Sequence, residues 1–269
     1  MIRTNSYDNV DPQLLLLLLR TVEELSNLRA PIIFKGAIIL KNALIINNIN
    51  PGTERFTTDI DGDWCDVNAS LNIIEDTVDK AVSNVDSNLI AVLIRTPGMN
   101  KSAGIGVLDR TDANTIGIRN VRKKDCIFTL DFSIRQNPFS TFYISALNGV
   151  RIQAATLQKM FTDKLRAVSE PIVRRRVKDV YDLYILSVFS DVYTTSGTYE
   201  ICEVTGKCLN NFDIFLNDIG TINHAYNLMN NIVNKPDFCT LYKRVYHFIE
   251  PFIEKAKNVN LTWNGNDWI

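Results

Sequence analysis

Apolar positions recur at helical spacing over residues 12–28, where Pro12 stands at an early helical position behind Asp11, a candidate cap. Pro31-Ile32-Ile33-Phe34 reads as a short extended piece. After Lys35-Gly36, the run AIILKNALIINN predicts a mostly apolar helix over 37–48. NNINPG (47–52) is a loop by its turn chemistry; a strand over 57–65 and a polar helix over 70–84 follow. From 89 to 153 the texture becomes β. LIAVLIRT, AGIGVLDRT, CIFTLDFSI and FSTFYISAL are rich in branched and aromatic residues, and Asn148-Gly149 signals a hairpin. Gly104-Ile105-Gly106 reads as a glycine-softened strand, since no helix pattern follows as a dinucleotide fingerprint requires. In CIFTLDFSI the alternation puts Phe128, Leu130, Phe132 and Ile134 on one face and Asp131 on the more polar one.

Beyond residue 153 the periodicity predicts helices over 154–168, 171–190, 198–210, 216–233 and 236–256, with a kink or break at Pro251. The tail NLTWNGNDWI reads as irregular, with Trp263 and Trp268 packing back or forming a contact. The pattern predicts an α+β fold: a mixed sheet with flanking helices in residues 1–153, then an all-helical domain in 154–269.

Composition excludes several classes. With 46% hydrophobic and 22% charged residues the 269-residue chain is globular rather than disordered, and a net charge of −1 leaves any polyanion binding to a local patch. Five cysteines without a CxxC pair and only two histidines argue against zinc and against His-based nucleophilic catalysis, and fit a reducing cytosol. The run Leu14–Leu19 follows Asp8 and Asp11 rather than a basic cluster, so it is a core helix and not an export signal. No apolar segment approaches the ~20 residues of a membrane span. A cytoplasmic protein is expected.

Chemistry therefore falls to carboxylates, Lys, Arg or a bound hard cation. ERFTTDIDGDW (54–64) sets Asp59 and Asp61 two residues apart, on one face of the predicted strand. Like charges so placed repel unless a cation lies between them, and hard oxygen ligands select Mg²⁺ or Mn²⁺. Asp131 on a neighbouring strand is the candidate third ligand, or the base that takes a proton from an attacking hydroxyl. A solvated DxD at a loop edge is the alternative. Gly36, opening an apolar helix, offers backbone N–H groups to phosphate, or is a turn glycine. Lys164–Lys178 carries six basic residues against one Glu, which suits a polyanion contact or a solvated helix face.

Taken in order, FKGA–ILKNAL, ERFTTDID, TLDFS and MFTDKLRAV–RRRVKDVYDLYIL resemble the AbiEii/AbiGii-type nucleotidyltransferase toxins of bacterial abortive-infection and toxin–antitoxin systems, over about residues 32–190. The resemblance implies a nucleotidyltransferase-like catalytic domain and a site assembled from these motifs. Asp59, Asp61 and Asp131 are the metal-binding and catalytic acids, with Lys164 the catalytic lysine that contacts nucleotide. Lys35, Gly36, Ala37, Arg55, Asp179 and Asp182 complete the nucleotide site. Arg174, Arg175, Arg176 and Lys178 are RNA-binding candidates. It also implies Mg²⁺ (or Mn²⁺), a nucleoside triphosphate donor, an RNA acceptor (tRNA by resemblance), and an antitoxin partner. One departure stands out. Ala37 and Ile38 occupy positions where the family has Gly or Ser and then a small hydroxyl residue, which removes a possible phosphate-binding hydroxyl. A degenerate member that binds nucleotide or a partner without catalysis is the alternative reading. A small-molecule nucleotidyltransferase of the antibiotic-modifying sort would share the metal site but not need the basic patch. Asp179 and Asp182 share one helix face, so salt links to Arg175 or Lys178 without catalytic meaning are also open.

Overall fold

The computed structural model describes residues 12–95, 102–171, 177–256 and 259–269. They divide into two compact units: the described part of Asn9–Asn48 with Phe56–Ala155, and Ile49–Arg55 with the described part of Thr156–Ile269.

The first unit is built on a seven-stranded mixed sheet. In chain order it contains α1 (Pro12–Asn27), β1 (Ile32–Lys35), α2 (Ala37–Ile46), β3 (Asp59–Trp64), α3 (Leu71–Val85), β4 (Leu89–Arg95), β5 (Ser102–Asp109), α4 (Arg110–Ile116), β6 (Phe128–Ile134), β7 (Ser140–Ile144) and β8 (Arg151–Ala155). β2 (Glu54–Arg55) belongs to the other unit. The strand order is β4-β5-β6-β3-β1-β8-β7. β3 runs parallel to β6 and antiparallel to β1, while β1 and β8 are parallel.

Period-2 alternation decides the faces. Ile60 and Trp64 of β3 and Phe128, Leu130 and Phe132 of β6 are all buried, with Trp64 and Phe132 edge-to-face at 5.7 Å. Gly62 sits among them because a Cβ there would lie 2.9 Å from Ile32 Cγ2 and 3.0 Å from Phe132 Cδ1. Each fully buried large apolar side chain contributes about 1.5–3 kcal/mol. α3 buries Ile74, Val78, Ala81 and Val82 on one stripe and is capped by Ser70, whose hydroxyl accepts from the Ile73 N–H. Its acidic face also satisfies backbone amides of the edge strand β4, since Asp79 accepts from the Ala91 N–H and Glu75 from the Leu93 N–H.

The opposite face of β3 carries Asp59, Asp61 and Asp63. Asp63 is fully buried and accepts from Lys35 Nζ (2.5 Å), Arg135 Nε (2.8 Å) and Asn137 Nδ2 (2.8 Å). Burial alone would raise the Asp63 pKa; the Lys35 and Arg135 charges and hydrogen bonds outweigh it and hold it below the ordinary 3.8. Buried Asn42 bridges the end of β7, donating to the Ile144 carbonyl and accepting from the Ala146 N–H.

The expected β stretch from 89 to 153 is interrupted by α4 and by single 3₁₀ turns at Ile118–Asn120 and Lys123–Asp125. RTDANTI has no apolar stripe to announce a helix. Ala113 nonetheless packs with Val92, Leu108 and Val121, and Gly117 at φ 80 ends the helix.

The second unit holds α5 (Leu157–Ser169), α6 (Val177–Leu186), α7 (Thr195–Val204), α8 (Asp213–Asn217), α9 (Ile219–Asn227), β9 (Ile232–Val233) and α10 (Phe238–Ile253). It is helical apart from the two-residue ribbon β2/β9, whose pairing of Arg55 with Ile232 draws Ile49–Arg55 into it. The expected helix over 216–233 is therefore two short helices and a strand. α10 continues through Pro251, which lies in its last turn, so the chain breaks two residues later than proline alone suggests. Trp263 packs back: its ring lies 4.8 Å from Phe248, and its Nε1 donates to the Ser187 carbonyl. Trp268 Nε1 donates to the Phe248 carbonyl.

The Asp63 cluster generates a stability prediction. Asp63→Asn leaves Lys35, Arg135 and Asn137 around a neutral group and lowers unfolding free energy at pH 7 by about 3 kcal/mol in denaturant titrations. Because the folded pKa of Asp63 is depressed, this contribution is complete above the ordinary value and lost as pH falls through the folded one. The gap between wild type and Asp63→Asn accordingly narrows below about pH 4.

Candidate active site

The parallel register of β3 and β6 sets Asp61 beside Asp131 and Asp59 beside Thr129, while β1 sets Lys35 opposite Asp61. A single row across four strands thus reads Lys35, Asp61, Asp131 and Gly104. Asp59, Asp61 and Asp131 share one face of the sheet by alternation, and Asp59 and Asp131 keep about a third of their side-chain surface exposed, at 31% and 33%.

Gly36 closes the row against a helix. It caps α2 with no side chain, at φ 77, and a Cβ built on it would stand 2.6 Å from Asp61 Oδ2. The backbone that opens α2 therefore lies directly against the Asp61 carboxylate, and the positive end of the α2 dipole faces the acidic row. Ala37 is the first residue of that helix.

Two residues outside the sequence expectations complete the cluster. Thr129 Oγ1 donates to Asp59 Oδ1 at 2.5 Å. Lys123 Nζ donates to the same oxygen at 2.9 Å and stands 3.9 Å from Asp131 Oδ2. Burial alone would lower the Lys123 pKa, but its bond to Asp59 and the charges of Asp59, Asp131 and Asp61 raise it. All three carboxylates act on one ammonium. The available signals were small: Thr129 shares the polar face of Asp131, and Lys123 belongs to the short basic run RKK ahead of β6.

Among the described residues, no three His, Cys, Asp or Glu side chains stand as a ready-made metal cage. The donor set nevertheless suits a divalent cation brought in with a triphosphate. Mg²⁺ needs only one or two carboxylates, completing its shell with phosphate and water, and Lys123 acts as a stand-in cation among hard oxygen donors.

Lys35, expected at nucleotide, is instead bonded to Asp63, with 20% of its side chain exposed.

In the second unit the remaining expected residues form a network of their own. Lys164 Nζ on α5 donates to Asp179 Oδ1 at 2.6 Å and stands 2.8 Å from Asp182 Oδ2. Arg55 donates to Asp182 Oδ1 from Nε (3.1 Å) and Nη2 (2.7 Å). Among the described residues, the cations bonded to Asp179 and Asp182 include Lys164 and Arg55, brought by α5 and β2. Burial would favour neutral Lys164, yet the charges of Asp182 and Asp179 push its pKa well above the ordinary value. Asp182 is held below its ordinary range: burial opposes ionisation, and Lys164 and Arg55 overcome it. Tyr181 shares a hydrogen bond with Thr53 Oγ1 at 3.0 Å, and burial pushes its phenol up to about 12. Lys178 is exposed near the start of α6. Arg174, Arg175 and Arg176 lie outside the described residues.

Known proteins give the site its context. Residues 17–236 match the family described as nucleotidyl transferase AbiEii toxin, type IV toxin–antitoxin system. The fold is similar to that of JHP933 from Helicobacter pylori, with a TM-score of 0.56 at 15% identity over 93% of this chain and 95% of that one. It is also similar to MenT4, the nucleotidyltransferase toxin Rv2826c from Mycobacterium tuberculosis, with a TM-score of 0.52 at 13% identity over 88% and 83% of the two chains. No curated protein matches in sequence. Among the described residues no helix is long and apolar enough to cross a membrane.

The Gly36 contact is directly testable. Gly36→Ala places a methyl on the Asp61 carboxylate and in a left-handed backbone, costing about 1–3 kcal/mol of stability in thermal denaturation. The same variant binds Mn²⁺ more weakly than wild type in calorimetric titration, because Asp61 must move aside.

Proposed function

This chain belongs to the AbiEii nucleotidyltransferase toxin family, and we propose that it transfers a nucleotide from a nucleoside triphosphate to an RNA acceptor, with tRNA the favoured class. The observation that carries this reading is the register pairing of Asp61 with Asp131 at the head of α2, with Asp59 two residues away on the same face.

Asp59 and Asp61 would hold Mg²⁺ or Mn²⁺, and Asp131 would share that ion or a second one. A divalent cation bound there supplies neutralisation of charge on the triphosphate and its leaving pyrophosphate. The chain's own residues do the rest. The N–H groups opening α2 receive phosphate oxygens without a side chain in the way, since Gly36 has none and Ala37 adds only a methyl. Thr129 fixes the orientation of the Asp59 carboxylate through its 2.5 Å hydrogen bond. If Asp131 holds no ion, it is instead the base for the proton of the attacking hydroxyl, a role that its one-third exposure supports. In the second unit the reading gives Lys164 the role of nucleotide contact, with Asp179 and Asp182 holding it charged and Arg55 bonded to the other oxygen of Asp182. Arg174, Arg175, Arg176 and Lys178 are assigned to the RNA acceptor. An antitoxin is the expected genetic partner, and the cytoplasm the expected compartment.

The test is incubation with each labelled nucleoside triphosphate, Mg²⁺ and total RNA. Label enters RNA with one nucleotide preferred, and Asp61→Asn or Asp59→Asn lowers transfer at least about 100-fold while the circular dichroism spectrum is kept. Equal transfer by Asp61→Asn would refute the assignment. Nucleotide binding without transfer by wild type would instead mark a degenerate member, the alternative that Ala37 and Ile38 motivate.

A further inference from the structure

We propose that Lys123 is the counter-ion that a divalent cation displaces from the carboxylates, and that its released ammonium then pairs with the triphosphate of the incoming nucleotide. The inference rests on the metal-dependent reading above and adds to it a substrate-contacting residue that lies outside the matched motifs.

The geometry is specific. Lys123 Nζ is 2.9 Å from Asp59 Oδ1 and 3.9 Å from Asp131 Oδ2, so one monovalent cation bridges two strands at the place where the acidic row converges. Its backbone is held in a turn, and its side chain reaches out from that turn into solvent. Lys123–Asp125 forms a single 3₁₀ turn in which the Arg122 N–H donates to Asp125 Oδ2 at 2.9 Å and the Asp125 N–H to the Arg122 carbonyl at 2.8 Å. The side chain itself is 59% exposed. Exposed ion pairs of this kind contribute little, about 0–1 kcal/mol, so the contact is easily exchanged.

Thr129 makes the exchange orderly. Its hydroxyl and the Lys123 ammonium both donate to Asp59 Oδ1. When the ammonium leaves, the hydroxyl remains and keeps that carboxylate aimed. A divalent ion brings twice the charge of an ammonium to the same oxygens and is favoured over it electrostatically. The displaced ammonium, tethered to a fixed turn, stays beside a site that now contains a polyanion. A lysine pairs with phosphate as a mobile point charge, which suits a side chain that must change partners.

Two titrations decide the matter, each on wild type, Lys123→Met, Lys123→Arg and the exposed control Lys124→Met. In the first, Mn²⁺ is titrated without nucleotide and followed by the loss of its free-ion paramagnetic resonance signal. Lys123→Met tightens Mn²⁺ binding about tenfold, because it removes a competing charge; Lys123→Arg and Lys124→Met stay near wild type. In the second, ATP, GTP, CTP and UTP are each titrated with saturating Mg²⁺. Lys123→Met weakens the preferred nucleotide about tenfold, reflecting one lost charged contact, and Lys124→Met does not. Opposite shifts in the two titrations from one variant support the proposal, and melting curves show that it folds. Unchanged Mn²⁺ affinity in Lys123→Met, or unchanged nucleotide affinity, overturns it. If Asp61→Asn abolishes Mn²⁺ binding while Lys123→Met leaves it unaltered, only this inference falls. If Asp61→Asn binds Mn²⁺ as wild type does, the metal reading falls and takes this inference with it.

Discussion

Electrostatic repulsion among Asp59, Asp61 and Asp131 is the constraint around which the first unit is arranged. Three carboxylates on one face of two adjacent strands oppose folding unless positive charge or hydrogen-bond donors meet them. The structure meets them in layers. Asp63, deepest on the same face, is satisfied by Lys35, Arg135 and Asn137. Asp59 has Thr129 and Lys123, and Asp61 lies against the opening of α2. Moving along β3, from Trp64 back to Asp59, the partners change from buried and fixed to exposed and exchangeable.

The second unit handles buried charge differently. Lys164, Arg55, Asp179 and Asp182 neutralise one another in a network drawn from α5, α6 and β2. Removing any one member strands the others, so such a network contributes more to a defined geometry than to net stability. The network also keeps Lys164 charged and held between two carboxylates.

Much of this was legible in the sequence because it depends on local period. Alternation put Asp59 and Asp61 on one face and Asp131 on the polar side of its strand, and α1, the apolar α2 and the polar α3 were all expected. What was hidden is non-local. Asp131 was expected on a strand neighbouring Asp59 and Asp61, but nothing local gave the register that sets it directly beside Asp61. Arg55 and Asp182 are 127 positions apart, and Arg55 is carried on a strand of two residues, too short to show a pattern. Lys123 sits in a short polar run inside the stretch expected to be β, and only the fold reveals its partner. α4 escaped because its one buried residue, Ala113, is too small to mark a stripe.

The acidic side chains that α3 extends over β4 have a consequence for assembly. A strand at the rim of a sheet ordinarily offers a ladder of unmet amides on which a foreign chain can grow. Here Asp79 and Glu75 already receive the Ala91 and Leu93 amides. Any visitor seeking to extend the sheet there must first evict two carboxylates and leave them facing its own carbonyl oxygens. That boundary is guarded by charge rather than by proline, and the seven strands have a built-in stop on that side.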